Sequence, residues 1–175
     1  PLNNIGTVFY WIDHTCAYPR NSGIQRVVRG LARGLMDVGV RLIPVKWDRQ
    51  SQLLCPPTQE ELGHMTRWNG PSVDGWAPWR DPNTAGLKDW LLIPELVTDP
   101  AGASLAQIKQ YATKCRLRTA WVFYDAIPWK MRDIYTRDET DRHGAYMRDL
   151  NEFELVMAIS EFSRRDLVEF LQNFA

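Results

Sequence analysis

Two apolar runs in this 175-residue chain end in aspartate, and the residues at those two ends are the ones best suited to chemistry. Asp13 and His14 follow the run 7–12, while Tyr124 and Asp125 close the run 119–124. A carboxylate at a strand end can orient a sugar hydroxyl by accepting its hydrogen bond, and a histidine donates or accepts near neutral pH. A loop aspartate also caps local amides, so the structural reading stands beside the chemical one. Asn21-Ser22-Gly23 precedes a helical pattern, where free amides and the helix dipole favour a phosphate or carboxylate. Arg26, one turn in, can reinforce such a site. Equally, Ser22 is a good cap for any helix and Arg26 can simply be solvated.

Other chemistries lack a pattern. The glycines form neither a G-x-G-x-x-G nor a Walker A spacing, which sets aside dinucleotide and ATP readings. There is no G-x-S-x-G elbow, no metal-ligand spacing, and no carboxylate pair identifiable as a glycosidase acid and nucleophile. Twenty-one basic residues balance twenty-one acidic ones, so the surplus positive charge that usually drives nucleic-acid binding is missing. Cys16, Cys55 and Cys115 stand far apart and odd in number, which favours a reducing, cytoplasmic setting. No apolar stretch approaches the roughly 20 residues needed to span a bilayer. The chain opens on Pro1 without a methionine, so it is expected to be a trimmed or excised piece.

The elements that must position these groups alternate in type. The run 7–12 reads as a strand buried on both faces, as in a parallel sheet, and the runs 41–47, 89–93, 119–124 and 155–159 read as further strands. A turn-rich loop is expected from Asp13 through Gly23. The helix after it opens on the capping-box spacing Ser22-Gly-Ile-Gln25 and closes at Gly39. Its apolar stripe is Ile24, Val27, Val28, Leu31, Leu35 and Val38. Arg26, Arg29 and Arg33 lie off that stripe, as a solvated face or a docking face for an anionic lipid or diphosphate-linked acceptor. Further helices are expected at 58–66, after Asp99-Pro-Ala-Gly-Ala-Ser104 (with Leu105, Ile108, Tyr111 and Cys115 inward), at 138–151, and after Ser160. The last turns Phe162, Leu167, Phe170, Leu171 and Phe174 inward. Trp68, Trp76, Trp79 and Trp90 are expected to plug a long loop, with sugar stacking and membrane contact as alternatives. His64 and His143 are expected at the surface.

This alternation predicts an α/β, Rossmann-like three-layer domain with a mainly parallel sheet, spanning 1–175 as one unit. The common doubly wound order 3-2-1-4-5 would set the strand 7–12 beside the strand 119–124. The loops Asp13–Gly23 and Asp125–Trp129 would then face each other across the ligand-binding crevice.

Four segments resemble the N-terminal domain of family-4 glycosyltransferases, in particular bacterial mannosyl- or rhamnosyltransferase-like enzymes of polysaccharide assembly. They are Val8-Phe-Tyr-Trp-Ile-Asp13, Ser22-Gly-Ile-Gln-Arg-Val-Val-Arg29, Tyr124-Asp-Ala-Ile-Pro128 and Ala158-Ile-Ser-Glu-Phe-Ser-Arg-Arg-Asp-Leu167. The resemblance implies a two-domain (GT-B) enzyme with its active site between Rossmann-like halves. This chain would be the acceptor-side half, the donor-binding domain lying outside it or in another chain. It further implies a nucleotide-sugar as substrate rather than any cofactor, a glycan or lipid-linked acceptor, and retention of anomeric configuration without a metal. The donor phosphate would serve as base, and the setting would be the cytoplasm, with peripheral contact to the inner membrane also admitted.

Site residues follow from the same resemblance. Ser22 and Gly23 map to the loop that approaches donor phosphates or acceptor. Asp125 and Tyr124 occupy the catalytic position, although Tyr124 stands where the family often has histidine and a phenol is no neutral-pH proton shuttle. Ser160, Glu161 and Ser163 match the segment leading to the interdomain hinge. Asp13 and His14 at the strand end and Arg26 one turn into the first helix, read from the residues alone, complete the expected binding set. The alternatives are a non-catalytic binding or scaffold domain and a GT-B relative such as a sugar-nucleotide epimerase.

Overall fold

The computed structural model describes residues 6–97 and 102–174. The stretch 98–101 ahead of the Ser104 helix start lies outside the described residues. Six strands form one sheet: β1 (Val8–Trp11), β2 (Leu42–Asp48), β3 (Leu53–Cys55), β4 (Trp90–Ile93), β5 (Arg118–Phe123) and β6 (Leu155–Ala158). Their spatial order is β3-β2-β1-β4-β5-β6, parallel except for β3 against β2. The Rossmann-like α/β architecture is therefore present.

The expected strand order is not. β4 stands between β1 and β5, with Val8, Phe9 and Tyr10 paired to Trp90, Leu91 and Leu92. The reason lies in burial: Leu91, Leu92 and Ile93 are all buried, which suits a central strand and not an edge. The edge instead falls to β3, a strand the sequence does not announce, since it has three residues and only Leu54 buried. A tight turn delivers it. Asp48 accepts hydrogen bonds from the Gln50 amide and the Ser51 hydroxyl, and Gln52 takes a φ of 56°.

Seven helices accompany the sheet among the described residues: α1 (Asp13–Ala17), α2 (Gly23–Asp37), α3 (Gln59–Met65), α4 (Leu105–Lys114), α5 (Ile127–Lys130), α6 (Arg137–Asp149) and α7 (Glu161–Phe174). Strand residues alternate between two cores. Phe9, Trp11, Ile43, Leu91, Trp121 and Phe123 pack with α4, α6 and α7. Val8, Tyr10, Leu42, Leu92, Ala120 and Val122 pack with α2 and α3 on the other face.

Local chemistry fixes the helix ends. Ser22, Thr58, Ser104 and Thr136 each form a full capping box with the glutamine or glutamate three residues on. α2 ends in a Schellman turn: Gly39, at φ 84°, donates to the Met36 carbonyl and Val40 donates to that of Leu35. Gly39 supplies the left-handed residue that this turn requires.

Helix faces differ from the apolar stripes. On α2 the buried residues are Gln25, Val28, Arg29 and Ala32, while Val38 is exposed. Arg29 is thus no solvated residue. It is 1% exposed, donates from Nε to the His64 carbonyl at 3.1 Å, and lies under the Trp68 ring. On α7, Ser163, Asp166, Leu167 and Phe170 turn inward, whereas Phe162 and Phe174 are exposed. Of the four clustered tryptophans, Trp76 packs on Tyr10 as a plug and Trp90 belongs to β4; Trp68 and Trp79 stay largely exposed.

Candidate functional site

Because β1, β4 and β5 run parallel, their loops all leave at one end of the sheet. The chain turns toward β2 after β1 and toward β5 after β4, so the topological switch point lies between β1 and β4. Two larger cavities open at this end, and Leu96, in the loop after β4, lines both.

The first cavity, of about 580 Å³, is lined by Asp13, His14, Lys46, Trp47, Glu61 and Glu95 among others. Its organiser is Glu95, which is 2% exposed. The carboxylate accepts the His14 amide at 2.8 Å and the Thr15 amide at 2.7 Å, satisfying the orphan donors at the start of α1. That explains why a helix forms where a loop was expected. Its cap comes from 80 residues away in sequence, and Ile12 provides none. Burial raises the Glu95 carboxyl to about 7 despite these bonds. Asp13 is also raised by burial, while its Oδ1 accepts the Trp47 amide at 3.0 Å. Lys46 and Glu61 form an ion pair at 2.6 Å. His14 is exposed, with its ring against Tyr18.

The second cavity, of about 480 Å³, brings Gly23 at the first position of α2 against Tyr124 and Asp125 at the end of β5. Gly23 is exposed, and a Cβ built on it would meet nothing within 4 Å. The missing side chain therefore leaves the helix start open without any demand from the protein's own packing. Asp125 is half-buried and accepts the Ile127 amide at 2.9 Å through Oδ1. Tyr124 is buried, and its hydroxyl donates to the Pro94 carbonyl at 2.6 Å, bracing the β4 and β5 loops against each other. Burial pushes that phenol's pKa up. The Tyr124 hydroxyl is thus a brace first, with only acceptor capacity left for a ligand.

The expected binding set is divided. Gly23, Tyr124 and Asp125 share one cavity; Asp13 and His14 stand in the other. Ser22 caps α2 and Arg26 is exposed, lining neither. Ser160 caps α7 by accepting the Ser163 amide at 3.0 Å, and the buried Ser163 hydroxyl donates to the Tyr124 carbonyl at 2.6 Å. Glu161 is exposed and paired with Arg164. The serine spacing here therefore anchors α7 to the end of β5.

Two site residues were missed. Glu95 follows Pro94 with no local pattern to mark it. His143, expected at the surface, is 8% exposed and lines the second cavity. Its signal was its place on α6 three residues before the buried Tyr146. His64, also expected at the surface, is half-buried, with Nδ1 2.6 Å from the Cys16 carbonyl.

Among the described residues no helix is long and apolar enough to cross a membrane, and no group of three or more His, Cys, Asp or Glu could hold a metal ion. Chemically, the second cavity offers hydrogen-bond acceptors above apolar walls, and the first offers clustered carboxylates beside an ion pair. No family model, no curated protein and no solved structure matches this chain.

Proposed function

We propose that this chain is the acceptor-side half of a retaining glycosyltransferase of two-domain architecture, working in polysaccharide assembly. The observation that carries the reading is the second cavity, where the open helix start at Gly23 faces Tyr124 and Asp125 across the carboxyl end of a parallel sheet. The four segments that resemble family-4 enzymes support it, because two of them supply opposite walls of that cavity. On this reading a nucleotide-gripping domain completes the cleft, and the acceptor sugar lies between Gly23 and Asp125. Catalysis then rests on positioning the acceptor hydroxyl against the donor and stabilising the departing diphosphate. Asp125 keeps one carboxylate oxygen for the acceptor, since only Oδ1 is engaged by Ile127.

The test is a transfer assay on the natural protein that carries this sequence. Guanosine, uridine and thymidine diphosphate sugars are offered with a panel of glycan and lipid-linked acceptors, and product configuration is read by proton NMR. Transfer with retained configuration is expected. Nucleotide-sugar hydrolysis alone, epimerised sugar, or no turnover with any pair would contradict the assignment.

A further inference from the structure

His143 stands at the junction of the second cavity and a smaller neighbour of about 220 Å³, lining both. Its Nε2 lies 3.0 Å from the Asp125 backbone carbonyl. A carbonyl oxygen can only accept, so that nitrogen carries the proton. A neutral imidazole has one N–H, and Nδ1 is therefore left with a free lone pair. Burial holds the ring's pKa below its ordinary value, which keeps it neutral near pH 7. Asp125 is the single charge among the lining residues of the larger cavity, and the remaining walls are mainly apolar, Ile24, Leu96 and Ile159 among them. The Asp125 carboxylate and the His143 imidazole as acceptors, with the Tyr124 and Tyr135 hydroxyls in the same lining, over an apolar wall match a ring that presents hydroxyls on its edge and C–H groups on its face.

We propose that His143 positions the ligand of this cavity, its Nδ1 accepting a hydrogen bond from a hydroxyl of a neutral sugar ring while the Asp125 backbone carbonyl holds its Nε2–H. The proposal rests on the glycosyltransferase reading and deepens it: it makes the bound acceptor a neutral sugar and gives α6 a part in selecting it. No cation lines the larger cavity, and Arg142 of the smaller one is paired with Asp138 at 3.1 Å and stands beside Glu139, so a sugar phosphate gains nothing over the corresponding glycoside.

Two substitutions separate the nitrogen that braces from the nitrogen that binds. In His143→Gln the side-chain amide can still donate to the Asp125 carbonyl, but no acceptor remains at the Nδ1 position. His143→Asn places an oxygen near Nδ1 and gives up the bond to Asp125. In the natural protein, His143→Gln is expected to keep its thermal midpoint and raise the acceptor KM about tenfold with kcat little changed. His143→Asn is expected to be less stable, with a KM closer to that of the wild type. A stable His143→Gln protein with unchanged acceptor KM would overturn the role of His143 while leaving sugar transfer standing. Absence of any transfer by the wild type would instead remove the parent reading.

Ring nitrogen NMR on the wild type gives a second measurement should the glutamine variant not fold. Methyl glycosides of mannose, glucose and rhamnose are the probes. Addition should move the Nδ1 resonance and leave Nε2 protonated. A protonated Nδ1 in the free protein, an Nδ1 unmoved by any of the three, or tighter binding of mannose 6-phosphate than of methyl mannoside would each refute the proposal.

Discussion

Replacing Glu95 by glutamine (Glu95→Gln) leaves the shape of the first cavity nearly intact and removes its main proton. Glu95 is 2% exposed, and burial moves its carboxyl from an ordinary 4.5 to about 7. The folded protein therefore keeps this proton up to about pH 7, whereas the unfolded chain loses it near 4.5. The resulting contribution to stability is fully present below the unfolded value. It falls by about 1.4 kcal/mol per pH unit between the two and is lost once pH has risen through the folded value. Over that interval the loss sums to about 3 kcal/mol, a large share of the roughly 5–15 kcal/mol typical of a domain.

Glutamine stays neutral throughout. Its NH2 group replaces one of the two oxygens that face the His14 and Thr15 amides, so one of those amides loses its acceptor, at a cost of about 1–2 kcal/mol. His143 titrates in the same window with opposite sign, because burial lowers its pKa and its contribution declines as pH falls below about 6.5. The difference between wild type and variant cancels that background. Urea unfolding followed by tryptophan fluorescence at half-unit steps from pH 4.5 to 8.5 measures it. The difference should shift by about 3 kcal/mol toward the variant as pH rises. A difference constant within about 0.5 kcal/mol would mean that Glu95 is ionised in the folded protein at ordinary cost, and the argument from burial would fall.

Three further changes probe the frame. Gly70→Ala would put a Cβ 1.8 Å from the Met65 carbonyl oxygen, so unfolding should become easier by about 2 kcal/mol or more; a neutral result would show that the turn after α3 is not this tight. Arg29→Met removes a buried guanidinium whose two terminal nitrogens have no hydrogen-bond partner among the described residues, and the methionine can keep contact with the Trp68 ring, so stability should stay within about 1 kcal/mol of wild type or rise. A loss above about 3 kcal/mol would reveal the single bond to His64 as a major anchor of α3. Ser22→Ala removes the side-chain half of the α2 capping box while the residue 22 amide can still donate to Gln25 Oε1, and it should lower the unfolding free energy by about 1 kcal/mol, with circular dichroism checking that the helix persists.

Local signals and long-range ones fared differently when the sequence was read. The run 7–12, the capping box at Ser22 and the glycine at 39 each act over a few residues, and each element lies where those residues place it. The strand order depends instead on which strand is buried on both faces. The apolar runs 89–93 and 119–124 look alike in that respect, so the sequence could not rank them. α1 escaped notice because its cap is Glu95, and Arg29 because its partner carbonyl belongs to α3. The site divides on the same line. Gly23 and Asp125 carry recognisable neighbours, while His143 matters through a backbone carbonyl 18 residues away that no spacing rule marks.

The central claim is that ligand passes between the start of α2 and the end of β5. Gly23→Trp tests it most directly, since Gly23 lines the cavity and a Cβ built there meets nothing within 4 Å, so a bulky ring is added at the cavity wall where the protein's own packing makes no demand. The account predicts an unchanged thermal midpoint and loss of sugar transfer by the natural protein. Transfer at the wild-type rate by a folded Gly23→Trp variant would contradict it.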